Sequence, residues 1–253
     1  MTEALVTVAV PSYNQGKYLD AALSSIFSQK LPIEVYVADG GSTDNSVEVI
    51  KKWETRLAGW RSSADDGQAA AINECVGKGS APFVCWINSD DYFLEGGLAK
   101  LLNELAANEN APAAYGRAWN IREKDNKKTA IWVEEFSEKR LALRCIISQP
   151  ATLIRREAWE AVGGLDPSRH MAMDYDLWWK LYRLGGPLLF LNEYVAVNRD
   201  HDETKTNTKR AAHYAEAMAV VRKYYGKLPL KWWIFQPYAI WFKALINKIE
   251  SRK

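Results

Sequence analysis

The chain reads as an α/β protein, with a mostly parallel sheet flanked by helices. Three observations predict it. Short apolar, β-branched runs alternate with helix-spaced segments through roughly the first hundred residues. The 253 residues are 48% hydrophobic and 25% charged, an ordinary globular balance that excludes collagen, low-complexity disorder and a multi-span membrane protein. Finally, each polar cluster in that half follows a predicted strand, where open α/β sheets bind ligands.

Leu5–Val10 is the first strand pattern, and Tyr18–Gln29 follows with Leu19, Leu23, Ile26 and Phe27 at helical spacing. Ile33–Ala38 predicts a second strand, and Asp44 opens a helix carrying Val47, Val49, Ile50 and Trp53. A short segment at Trp60 leads to a helix over Gln68–Val76, and Phe83–Ile87 is a fourth apolar run. A helix beginning near Leu94 and covering Leu98–Ala107 ends this half. The rhythm then breaks. Ala113–Arg122 and Thr129–Val133 flank a polar Glu-Lys-Asp-Asn-Lys-Lys stretch, predicting a hairpin with a charged tip. Leu141–Ile147 is expected to be helical and Thr152–Ile154 a strand. Glu157–Val162 and Tyr175–Leu184 are expected helices, each ended by a Gly-Gly pair.

Charge and cysteine content narrow the function classes. Basic and acidic residues number 33 and 31, which gives no case for a nucleic-acid partner. The balance hides an asymmetry, because Arg222–Lys253 holds eight basic residues and one acidic. Cys75, Cys85 and Cys145 lack metal-ligand spacing and read as reduced core thiols. No signal peptide and no apolar run of the ~20 residues needed to span a bilayer are read, so a cytoplasmic location is expected.

The first strand closes in Pro11-Ser12-Tyr13-Asn14 and the second in Asp39-Gly40-Gly41-Ser42-Thr43-Asp44. A carboxylate at such a lip suits a base N–H or a ribose hydroxyl, whereas a phosphate cradle would need Gly-Lys-Ser/Thr. A tight turn with a helix cap explains the Gly-Gly-Ser-Thr-Asp run equally well. The third cluster, Asp65-Asp66-Gly67-Gln68, runs into Asn73. The fourth, Asn88-Ser89-Asp90-Asp91, brings two carboxylates off a buried strand, which favours a divalent cation between them and a diphosphate, Mn²⁺ or Mg²⁺ by ligand hardness. A solvated turn before a helix is the alternative.

Taken together these segments resemble the inverting glycosyltransferases of family 2, which have the GT-A fold. The matching pieces are PSYNQGKYL, ADGGSTDNS, DDGQAAAIN and WINSDD, continued by SQPATLIRREAWEAVGGLD, AMDYDLWWKL and NRDH, over roughly residues 5 to 205. The resemblance implies that Asp39 and Asp65 recognise the nucleoside of a sugar nucleotide, with Pro11, Tyr13, Gln68 and Asn73 in the same donor site. It implies that Asn88-Ser89-Asp90 is the metal-binding triplet, with Asp90 the direct ligand, Asp91 beside it, and His201 and Arg199 facing the diphosphate or metal. Asp174 matches the general base. Asp176 is a rival base out of register, and Met173 stands where the family usually has Glu. Gln149 is placed by the resemblance at the donor or acceptor, with a turn residue as the alternative, and one of Trp178 and Trp179 is expected to face the acceptor sugar. The chain lacks the Gln-x-x-Arg-Trp pattern of processive synthases and the His-Pro-Pro-Glu pattern of polyprenyl-phosphate sugar synthases. A single-sugar transfer from a nucleotide-sugar donor, UDP-linked, to a saccharide or lipid-linked saccharide is therefore expected, in surface polysaccharide synthesis.

Two rival classes share parts of this pattern. A nucleotidyltransferase has paired aspartates but wants a Gly-rich basic loop after the first strand, which Pro11–Lys17 does not form. A non-catalytic module of the same fold would bind donor without turnover. The expected organisation is a GT-A catalytic domain over 1–205, its nucleotide-binding half about 1–100 and its acceptor half about 101–205, with a helical, basic-aromatic extension over 206–253. Trp232, Trp233, Phe235, Tyr238, Trp241 and Phe242 with Lys231, Lys243 and Lys248 suit an amphipathic segment at the inner face of the cell membrane. A helix packed on the domain, or a contact between subunits of a homo-oligomer, would use the same residues.

Overall fold

The computed structural model describes residues 3–201, 204 and 209–237. Its elements in chain order are β1 (Val6–Ser12), α1 (Gly16–Phe27), β2 (Ile33–Asp39), α2 (Ser46–Trp53), β3 (Gly59–Ser62), α3 (Gln68–Lys78) and β4 (Phe83–Trp86). There follow β5 (Tyr92–Phe93), α4 (Gly97–Ala106), β6 (Ala113–Arg122), β7 (Lys127–Ala130), α5 (Glu138–Leu143), β8 (Thr152–Arg155) and α6 (Arg156–Ala161). The last are α7 (Met173–Gly185), β9 (Leu189–Asp200), α8 (Arg210–Tyr225) and α9 (Leu230–Pro237).

A nine-stranded sheet in the order β3-β2-β1-β4-β8-β6-β9-β5 runs through the molecule, and β7 adds to β6. The pairs β1–β2, β1–β4, β2–β3 and β6–β9 are parallel, and only β8, β7 and β5 run against the others. The predicted α/β architecture, mostly parallel, is the one observed. Both faces are covered, which is why β1 is buried along its whole length and reads as a continuous apolar run. Val6, Val8 and Val10 pack with Leu19, Leu23, Ile50, Leu98 and Leu101, while Ala9 and Trp86 pack with Ile72, Trp178 and Trp179 on the other side.

Several elements differ from the sequence reading. The hairpin forms, with Arg122 opposite Lys127, so Lys127 and Lys128 belong to β7 and the tip is shorter. Strand β5, only two residues long, displaces the expected helix start near Leu94, and α4 begins at Gly97. Helix α5 ends at Leu143 because Arg144 turns extended; Ile146 and Ile147 are apolar because they are buried. Arg155 and Arg156, where β8 meets α6, both turn to backbone carbonyls. Arg155 donates to the carbonyls of Leu105 and Ala111, and Arg156 to those of Val76 and Ala81 and to Thr7 Oγ1. Both thus cap helix C-termini, where a cation is favoured, at the end of the sheet where β4 begins.

Beyond residue 205, α8 packs its Ala217, Val220 and Val221 into the same core as α7. Trp232 anchors α9, donating Nε1–H to the Ala142 carbonyl at 2.8 Å. Tyr238, Trp241, Phe242, Lys243 and Lys248 lie outside the described residues.

Candidate functional site

The ends of β1, β2, β4 and β9 and the starts of α3 and α7 carry the residues singled out above. At the β2 turn, Asp39 is fully buried and accepts from the backbone N–H groups of Gly41 (3.1 Å) and Ser42 (2.9 Å) and the hydroxyls of Ser42 (2.5 Å) and Ser62 (2.7 Å). Three of these bonds fall on Oδ2 and one on Oδ1, in a turn that Gly41 makes at φ +82°. Asp39 holds the Gly41–Ser42 turn from beneath. Asp65 is the carboxylate left at the lip, paired with Arg61 at 3.1 Å and accepting the Gly67 N–H at 2.9 Å. A Cβ on Gly40 would stand 3.2 Å from the Tyr13 ring and 3.5 Å from Asp65, so Gly40 opens the floor between them. Tyr13 is 63% exposed, while Pro11 is buried within β1.

Asn73, expected in the donor site, is instead a clamp. Its side chain donates to the Leu165 carbonyl (2.8 Å) and accepts the Leu165 N–H (3.0 Å), holding the Gly164–Asp166 turn against α3. Gln68, at the α3 start, donates to Asn88 Oδ1 at 2.7 Å. Asn88 in turn donates to Asp91 Oδ2 and Gln149 Oε1, each at 3.1 Å, and Gln149 donates to the Trp86 carbonyl at 2.8 Å. Gln149 is therefore a brace between Asn88 and the end of β4.

The carboxylates after β4 diverge. Asp91 is buried and accepts the backbone N–H of Arg199 at 2.9 Å. Burial first, then the charge of Asp90, pushes its carboxyl well above the usual range. Asn88 and Asp91 thus brace the scaffold around Asp90. Asp90 keeps 18% of its side chain exposed and meets His201 Nε2 at 2.9 Å. The His201 ring lies 4.9 Å from that of Tyr18, and the Arg199 guanidinium stands over the rings of Tyr18 and Tyr92 at 4.9 and 5.4 Å. One carboxylate oxygen and one imidazole nitrogen fit a borderline-hard divalent ion such as Mn²⁺. Among the described residues no group of three or more His, Cys, Asp or Glu side chains is placed to hold a metal ion.

Asp174 is the second residue of α7, half-buried, with Oδ1 accepting the Tyr175 N–H at 2.8 Å. Burial raises its pKa above the ordinary carboxylate value, and that bond and the nearby His213 pull the other way. Asp176, the rival, is wholly buried between Arg169 (3.0 Å), Lys180 (3.4 Å), Lys223 (3.4 Å) and the Tyr224 hydroxyl (3.1 Å). It is an anchor between α7 and α8. Met173 lines a cleft of about 140 Å³ with Gly67, Gln68, His170 and Met171, which brings the α7 start up to the α3 start. The expectation that Trp178 or Trp179 faces an acceptor is not met. Both are fully buried, Trp178 stacked on Trp86 at 5.9 Å and Trp179 on Tyr224 at 6.0 Å. The aromatic surface that sequence reasoning missed in this half is Trp132, 57% exposed, with the Arg144 guanidinium 4.9 Å from its ring.

Known proteins resemble this chain in sequence and in fold. Residues 7–163 match the family model described as "Glycosyl transferase family 2". The chain is 24% identical to a chondroitin synthase of Escherichia coli over 253 residues, 98% of this chain and 36% of that one. It is 27% identical to a hyaluronan synthase of Pasteurella multocida over 186 residues, 72% of this chain and 19% of the relative, so it spans only a part of either synthase. Among solved structures, Staphylococcus aureus TarS 1–349 in complex with UDP superposes with a TM-score of 0.68 at 18% identity, over 89% of this chain and 67% of that one. The mannosyltransferase PcManGT of Pyrobaculum calidifontis, in complex with GDP-Man and Mn²⁺, gives 0.66 at 21% identity, over 94% and 68%. These likenesses carry the fold, which is of the GT-A type.

Proposed function

Because the chain belongs to glycosyl transferase family 2, we propose that it moves one sugar, with inversion, from a UDP-linked donor to a hydroxyl of a saccharide or lipid-linked saccharide in surface polysaccharide synthesis. The observation that carries this reading is the pairing of Asp90 with His201 beside a network that runs through Asn88 and Gln68 to the cleft at the start of α7. Tyr13 and Asp65 flank the open floor at Gly40, where a uracil ring and its N–H would be received. Asp90 and His201 would hold the Mn²⁺ or Mg²⁺, and Arg199 adds a fixed cation on the same side. When bound, the ion supplies Lewis-acid stabilisation of the departing diphosphate. Asp174 takes the acceptor hydroxyl proton as that oxygen bonds to the anomeric carbon and the bond to the diphosphate breaks. Trp132 offers the acceptor an apolar ring face.

A thermal-shift screen of UDP-, GDP- and dTDP-sugars with and without Mn²⁺ tests the donor. UDP-sugars are expected to raise Tm only with metal, by about 2.7 kcal/mol of linkage at a hundred times Kd. A shift with GDP- or dTDP-sugars alone would overturn the donor assignment, and stabilisation without turnover on any acceptor would favour a binding module.

Peripheral membrane contact through the extension belongs to the same proposal. Among the described residues no helix is long and apolar enough to cross a membrane. Helix α9 is held by Trp232 and leaves Leu230, Trp233, Ile234 and Phe235 at least half exposed, in a stretch rich in Lys and Arg. Full-length protein is expected to sediment with vesicles containing phosphatidylglycerol and to be released by salt, while a form ending at Tyr225 stays in solution. Equal sedimentation of both would remove the membrane from the reading.

A further inference from the structure

Helix α8 lies beyond the stretch that the family model matches, yet it reaches the candidate base. Glu216, on its second turn, accepts three successive backbone N–H groups: His170 at 3.3 Å, Met171 at 3.0 Å and Ala172 at 3.0 Å. Ala172 is the N-cap of α7 and has no side chain that can cap it. Glu216 therefore adds a carboxylate from another helix just before the α7 start, whose own first turn carries Asp174 and Asp176. Asp174 follows two residues later. His213, three residues before Glu216 and so on the same face of α8, acts electrostatically on Asp174 and opposes the effect of its burial. Two turns further on, Lys223 and the Tyr224 hydroxyl hold Asp176 at 3.4 and 3.1 Å. Helix α8 thus grips the start of α7 both before and after Asp174.

We propose that Glu216 is a positioning residue for sugar transfer, fixing the His170–Ala172 backbone and through it the place of the Asp174 carboxylate, so that α8 is part of the catalytic apparatus. The inference rests on the reading of Asp174 as the base. A carboxylate with two oxygens can accept all three N–H groups; a shorter or neutral side chain cannot. Misplacing a reacting group by about 1 Å costs on the order of a hundredfold in rate.

The test compares Glu216→Ala and Glu216→Gln in the full chain. Glu216→Ala is expected to lower kcat about 10- to 100-fold. Donor KM and the thermal shift with UDP and Mn²⁺ should stay within about twofold. The Gln variant, keeping one acceptor oxygen, should regain part of the rate, and it carries the comparison if the Ala variant does not fold. Amide exchange at residues 170–172 should quicken in both variants. In an Asp174→Asn background the Glu216 change should cost little more, since both act on one group. Unchanged exchange at those amides, unchanged kcat, or an equal loss in both backgrounds would overturn the proposal. Full transfer by Asp174→Asn alone would instead overturn the base reading, and the exchange measurement would still decide whether Glu216 holds the loop.

Discussion

Asp174→Asn is expected to bind donor as the wild type does and to lose transfer by about 10²- to 10⁴-fold, the usual worth of a positioned base. Asn is isosteric and keeps the oxygen that accepts the Tyr175 N–H, so the α7 start survives the change. The loss should fall on kcat, because the donor contacts proposed for Tyr13, Asp65 and Asp90 lie on other elements. The pH profile follows from the same burial. The Asp174 carboxyl is raised above its ordinary value by desolvation, and only the ionised form can accept a proton, so the acid limb of kcat/KM should lie above the usual carboxylate range near ~4. A raised carboxyl also favours the fold below the unfolded pKa, and that contribution is lost as pH rises through the folded value. At neutral pH, then, wild-type Asp174 carries a stability cost that the Asn variant lacks, and Asp174→Asn should melt no lower than wild type. Wild-type turnover by the variant, or an acid limb at an unperturbed carboxylate pKa, would remove Asp174 from the role of base.

Much of the fold was legible because burial on both faces writes itself into the chain. Val6–Ser12 and Ile33–Asp39 are largely apolar runs, and the helix that follows each shows one apolar stripe. Strand β9 was not legible. Its Asn192 and Glu193 are exposed while Val195–Val197 are buried, so no single period runs along it, and β5 exists only as its partner. At the site, the residue types and their places at strand ends could be read, but not the direction of each side chain. Asp39 and Asp65 look alike in sequence, yet the serines at 42 and 62 draw the first inward. Asp90 and Asp91 are neighbours, and the Asn88 amide together with the backbone N–H of Arg199, brought by β9, draws Asp91 into the scaffold. Trp178 and Trp179 stand at helical spacing with Leu177 and Leu181, which suits core packing for one and left the other open to an acceptor, yet both lie in the core. Glu216 carried no signal, since its partners are backbone groups more than forty residues earlier in the chain.

That divergence of the two aspartates sets up the second large effect. Asp90→Ala is expected to abolish the metal-dependent part of donor binding and to lower kcat/KM by about three orders of magnitude, on the scale of several kcal/mol for a Lewis acid at a leaving group. The fold should tolerate it. The Asp90 backbone carbonyl still accepts from Arg199 Nε, and the Asn88–Asp91–Gln149 bracing makes no use of the Asp90 side chain. Truncation also removes the like charge that disfavours ionised Asp91, so stability at neutral pH should hold or rise slightly. His201→Ala should reproduce most of the loss, and the double variant should be little worse than either, because two ligands of one ion fail together. Asp91→Asn is the contrasting case: it keeps an oxygen for the Arg199 N–H and should leave a metal-dependent Tm shift with UDP in place. A shift that survives in Asp90→Ala, or one lost only in Asp91→Asn, would move the cation from the Asp90–His201 pair to the carboxylate behind it.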